Sequence, residues 1–160
     1  MKTMHKRHTV RAALAVAFLL LSACGEKQRD PQVKEAWVRL PATSSLPGAA
    51  YFRLEGNVEG TRLTGITSPM VRRVELHETV EKNGVTKMEK RKEIDFPYRG
   101  ALVFEPGGRH AMLFGLNKSV KEGGTIPLTF SFNTAPPVTV DAEVRSASGE
   151  AASGEGHAGH

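Results

Sequence analysis

Cysteine is nearly missing from this chain of 160 residues: Cys24 is the only one, so no internal disulfide can form. Once that cysteine is taken up in another role, as argued below, no thiolate remains. Cysteine proteases, CxxC redox proteins and blue-copper carriers with His₂Cys sites are then excluded. Long apolar runs are scarce too. The longest, Ala12–Leu21, has ten residues, against the about 20 that a membrane-spanning helix needs. A basic surplus is also absent where it would matter. Lys2, Lys6, Arg7 and Arg11 lie in the leader, and from position 24 onward 18 basic residues meet 17 acidic ones. A near-neutral domain offers no electrostatic grip on phosphates, which argues against a nucleic-acid partner. No GxSxG, HExxH, P-loop or dinucleotide fingerprint occurs, so nothing points to an enzyme.

What is present begins with the leader. A basic stretch, Met1–Arg11, precedes the apolar run and has the form of a signal peptide. Leu21-Ser22-Ala23-Cys24 follows and resembles the lipobox of bacterial lipoproteins, which implies cleavage before Cys24 and acylation of that residue. Several acyl chains supply the two or more hydrophobic signals that stable anchoring requires. The expected layout is therefore a signal peptide over 1–23, a polar tether over 24–32, and a folded domain over 33–145. A small, glycine-rich tail over 146–160 completes the chain, with no large apolar residue to build a core.

Within the domain, short apolar runs alternate with turn residues. Candidate strands are Val33–Leu40, Ala49–Glu55, Thr61–Thr67, Val71–Val80, Val85–Ile94, Ala101–Phe104, His110–Leu116, Ile126–Asn133 and Val138–Val144. Turn signals include Asn83-Gly84, Pro106-Gly107-Gly108 and Gly123-Gly124. About nine short strands with such punctuation read as an all-β sandwich or barrel. Ser119–Gly123 could hold a turn of helix at most.

Four residues stand out against this pattern. In Val71–Val80, Val74 and Leu76 point to one face, and Glu75, His77 and Thr79 to the other. Met88 sits in Thr86-Lys87-Met88-Glu89-Lys90, where every neighbour is polar and no core position is evident. Asn83-Gly84 between them is a strong hairpin signal. A two-residue turn puts His77 opposite Lys90, with Met88 a diagonal neighbour; a four-residue loop puts His77 and Met88 directly opposite. Either register leaves both side chains on one face. His110 and Met112, two apart in a strand, share a face as well. Two imidazoles and two thioethers make a possible N₂S₂ set, and thioether sulfur is a soft donor that favours copper(I) over zinc. Outside the cytoplasm, where thiolates are oxidised, methionine suits a copper(I) carrier better than cysteine. Glu75 and Glu78, beside His77, read as surface charge, on the ground that adjacent strand residues point to opposite faces.

The spacing His77-x₁₀-Met88-x₂₁-His110-x-Met112 resembles the signature of the PCu(A)C family of periplasmic copper chaperones. The resemblance extends across Val33–Val144 through Ala36-Trp37-Val38-Arg39, Gly48-Ala49-Ala50-Tyr51-Phe52, Val74-Glu75-Leu76-His77-Glu78 and Pro106-Gly107-Gly108-Arg109-His110-Ala111-Met112-Leu113. It implies a cupredoxin-like β-barrel that binds copper(I) near its surface through His77, Met88, His110 and Met112. It also implies delivery for the copper centres of cytochrome c oxidase, to the copper-centre subunit or a Sco-like assembly factor. A protein that sequesters envelope copper without delivering it would use the same ligands. Two departures are visible. Glu78 and Thr79 follow His77 where some family members place an extra methionine, and the lipid anchor is not general to the family. In the tail, His157 and His160 could hold copper(II) or zinc through imidazole.

Overall fold

The computed structural model describes residues 30–56 and 59–148, and every described element is a strand. There are ten: β1 Gln32–Arg39, β2 Gly48–Glu55, β3 Arg62–Thr67, β4 Val71–Lys82, β5 Val85–Arg91, β6 Ile94–Asp95, β7 Ala101–Phe104, β8 His110–Leu116, β9 Thr125–Phe132 and β10 Val138–Arg145. They form one sheet in the order β5-β4-β8-β2-β1-β10-β9-β3-β6, with β7 paired to β2 beside β8. All pairings are antiparallel except that of the first and last strands, β1 with β10. Because β3 and β4 are near opposite ends of this order yet pack together, the sheet curls into a barrel.

Alternation sends one side chain of each pair inward. Val38, Ala50, Leu54, Leu63, Leu113, Leu128, Phe130, Ala142 and Val144 are fully buried. Phe52 stacks on Phe104 at 4.2 Å and meets Phe130 edge-on at 4.8 Å, the two arrangements aromatic rings prefer. In β1 the inward Val33 and Val38 are five positions apart, which strict alternation forbids. A bulge resolves this: the β1–β2 register shifts between Lys34 and Trp37, and Glu35 takes φ 52°.

One strand differs from the sequence expectation. The run Val85–Ile94 is not continuous but breaks at Lys92 and Glu93 into β5 and β6. β5 is one edge of the sheet and pairs with β4, whereas the buried Ile94 pairs with Leu63 of β3 at the other edge. The chain crosses the gap between the two edges there, and no local pattern announces a partner that distant. Gln32, placed in the tether by composition, is the first residue of β1.

Candidate metal centre

The hairpin β4–β5 places the first pair. Asn83 and Gly84 take φ 54° and 73°, the left-handed values a type I′ turn requires at both central positions. Lys82 therefore pairs with Val85, His77 with Lys90 and Thr79 with Met88. Of the two registers open to the sequence, the two-residue turn is the one formed. Met88 is therefore a diagonal neighbour of His77 on the same, outer face of the barrel.

On its other side β4 pairs with β8, which the hairpin signal could not reveal. His77 lies directly opposite His110, and Glu75 opposite Met112. The two imidazoles face each other at 5.8 Å between centroids, inclined by 25°. All four sequence-predicted residues thus gather on one outer patch, while Leu76 and Ala111 between them point inward and are buried. Exposure within the patch is uneven. Met88 is 56% exposed, and the His77 side chain only 13%. Among the described residues no three His, Cys, Asp or Glu side chains are grouped to hold a metal ion; the other soft donors on this patch are the thioethers of Met88 and Met112.

Each imidazole is held by one partner. The turn after β7, closed by the bond from Gly108 N to Glu105 O at 3.0 Å, presents the Gly108 carbonyl to the site. That oxygen accepts from Thr79 Oγ1 at 3.1 Å and from His110 Nδ1 at 3.1 Å, leaving Nε2 of His110 as the lone-pair nitrogen. Burial holds the His110 imidazole below its ordinary pKa; the Gly108 bond opposes this, and electrostatic interaction with His77 and Arg39 adds to it. A neutral imidazole is the form that can donate to a metal.

Glu75 corrects the sequence reading. The argument that dismissed it holds for Glu78, the adjacent residue, but Glu75 is two positions from His77 and shares its face. Its Oε2 accepts from His77 Nε2 at 3.2 Å, while Lys90 Nζ and Arg73 Nε approach Oε1 at 2.8 and 3.2 Å. The hydrogen bonds from Lys90 and then His77 hold its carboxyl below the usual carboxylate range. Glu78, on the opposite face, bridges Arg91 at 2.9 Å and Arg109 at 2.7 Å, tying β5 and the start of β8 to β4. Neither glutamate is idle surface charge. The period-2 rule was sufficient to find Glu75; the Gly108 carbonyl had no signal in the side-chain pattern.

One atom tests whether these residues suit a metal. His77 Nδ1 is buried and has no hydrogen-bond partner. A buried, unsatisfied nitrogen carries a desolvation cost unless something meets its lone pair, and a soft cation completed by two thioethers would meet it. Cys24, His157 and His160 lie outside the described residues.

The chain is similar to known proteins in sequence and in fold. The family described as "Putative lipoprotein LpqE-like" matches residues 32–144. "Putative lipoprotein Lxx21020" of Leifsonia xyli is 32% identical over 154 residues, covering 88% of this chain and 92% of that one. Among solved structures, the copper-bound PCuAC domain from PmoF2 superposes with a TM-score of 0.62 at 23% identity, over 75% of this chain and 96% of that domain. The copper(I) form of DR1885 from Deinococcus radiodurans gives 0.56 at 26% identity, over 77% and 83%. The ten-strand barrel therefore has the cupredoxin-like fold of PCuAC domains.

Proposed function

The chain belongs to the LpqE-like lipoprotein family, and from that premise we propose that it is a copper chaperone of the bacterial cell envelope. It takes up copper(I) through His77, Met88, His110 and Met112 and passes it to an acceptor. The observation that carries this reading is the register pair His77–His110, with one imidazole nitrogen buried and unpartnered and a thioether on either side. Two neutral nitrogens and two soft sulfurs match copper(I) in donor type. A relative at 26% identity has been described with copper(I) bound, which supports the same cargo here.

Delivery is favoured over storage by where the ligands sit. Ligand exchange requires the acceptor to attack the metal before the donor lets go, so at least one donor must be reachable. Met88, on the edge strand β5 and 56% exposed, is such a donor. The imidazoles, mostly covered, would hold the ion until the second contact forms. The acceptor in this proposal is the copper-centre subunit of cytochrome c oxidase or a Sco-like assembly factor, met through a small, weak interface. An acylated Cys24 would confine the exchange to a membrane surface, and His157 with His160 would offer imidazole for copper(II).

The test is His110→Ala in cells. Oxidase activity should fall when copper is scarce and recover with excess copper, since mass action can replace a carrier but not a subunit. Full activity under copper limitation would remove the delivery role and leave sequestration. In vitro, the copper(I)-loaded protein should lose its metal to the apo acceptor, and retention would likewise count against delivery.

A further inference from the structure

The His77 ring has one hydrogen-bond partner among the described residues, the Glu75 carboxylate, and that partner is itself fixed. Lys90 reaches across from β5 and Arg73 along β4, both onto Oε1, which leaves Oε2 for the His77 ring. The carboxyl is only 13% exposed. An ionised carboxylate has only acceptor sites, so the hydrogen in this bond must be on His77 Nε2. In the neutral ring the lone pair then belongs to Nδ1, the nitrogen that is buried and unpartnered. His110 is set the other way round. Its Nδ1 is committed to the Gly108 carbonyl, so its lone pair is on Nε2. Facing imidazoles are thus held in opposite tautomers by two different acceptors, one a side chain and one a backbone oxygen.

We propose that Glu75 is the positioning residue of the copper site, holding His77 as its Nε2–H tautomer so that copper(I) is taken by Nδ1 of His77 and Nε2 of His110. The inference rests on the copper reading above and adds the atoms that bind and the residue that selects them. Metal-ligating histidines commonly donate their second ring N–H to a carboxylate, which fixes ring orientation and raises donor strength. A ring held by such a bond needs no ordering at the moment of capture.

Nitrogen-15 NMR of the imidazoles reads this directly, because copper(I) is closed-shell and leaves the spectrum sharp. In the metal-free protein His77 should show a protonated Nε2 and a pyridine-like Nδ1, with His110 reversed. Adding copper(I) under reducing conditions should shift His77 Nδ1 and His110 Nε2. Glu75→Ala should mix the His77 tautomers and weaken copper(I) about 10–100-fold in competition with a chromophoric chelator, the loss typical of outer-sphere partners. Glu75→Gln, whose amide oxygen can accept the same N–H, should restore the tautomer and most of the affinity. The inference is overturned if copper(I) moves Nε2 of His77, if Glu75→Ala changes neither tautomer nor affinity, or if Glu75→Gln loses as much as Glu75→Ala. That last result would assign the effect to charge alone. A titration that shifts neither imidazole sinks the copper reading and this inference with it, whereas coordination at His77 Nε2 sinks the inference only.

Discussion

The two faces of β4 and β8 are built on one backbone and differ by a single step of alternation. Inward, Leu76, Ala111 and Leu113 are 4%, 0% and 0% exposed and join the barrel core. Outward, Glu75, His77, His110 and Met112 form a polar patch with its own hydrogen bonds. Strand pairing places both sets, but only one of them holds the barrel together. The contrast teaches that this protein can separate stability from metal chemistry residue by residue: truncating one neighbour should lower the melting temperature, and truncating the next should lower metal affinity.

The strongest test of that separation is the adjacent pair Leu113 and Met112. Leu113→Ala removes a fully buried side chain and should cost about 2–5 kcal/mol, as large-to-small core changes do. Thermal unfolding followed by circular dichroism should show a fall of roughly 4–8 °C per kcal/mol for a domain near this size. Met112→Ala should move the transition far less, since its side chain is on the outer face. If the two variants melt alike, the outer patch is part of the core and the comparison breaks.

How much of this is legible in the sequence follows the same division. Alternation within a strand is local, so the faces of β4, β8 and β9 can be read from the sequence, as can the Asn83-Gly84 turn that pairs His77 with Lys90. The meeting of His77 with His110 cannot, because it depends on β8 docking against β4 across 33 positions of chain; only the family spacing anticipates it. Two local patterns also mislead. Val85–Ile94 reads as one strand because both halves have strand composition, yet they pair at opposite edges. Glu75 is set aside with Glu78 although it shares a face with His77. Gly108 acts through a backbone oxygen, which no side-chain pattern encodes.

Within the outer patch, a second comparison sets Met88 against Met112. Met88 is on an exposed edge strand, and Met112 is half-buried in a strand paired on both sides. Either change to alanine removes a thioether that copper(I) prefers and zinc does not. Copper(I) affinity should fall by about tenfold or more, equivalent to roughly 1.4 kcal/mol, while zinc affinity stays nearly level. X-ray absorption on the copper-loaded protein should lose sulfur scattering stepwise, one atom per variant. Nitrogen and oxygen neighbours alone in the wild type would refute the sulfur ligands. Equal exchange rates to an acceptor in both variants would refute the special place given to Met88.

The smallest expected effect concerns the turn that carries Met88. Gly84 has φ 73°, and a Cβ added there would meet nothing within 4 Å. Gly84→Ala therefore acts through backbone conformation alone, costing about 1 kcal/mol for an alanine held in the left-handed region. The hairpin can shed this strain by opening to a four-residue loop over Glu81–Gly84, which slides β5 by two residues. A slip of two preserves the face of every side chain, whereas a slip of one reverses them all. Met88 would move from diagonal to directly opposite His77 and remain able to reach the metal. Melting should drop slightly, and copper(I) affinity should stay within a few-fold of wild type by chelator competition. A loss as large as that of Met88→Ala would mean the register had moved by one residue, turning Met88 to the inner side of the hairpin. In that case the Asn83-Gly84 turn, and not alternation alone, would be what keeps the sulfur on the copper face.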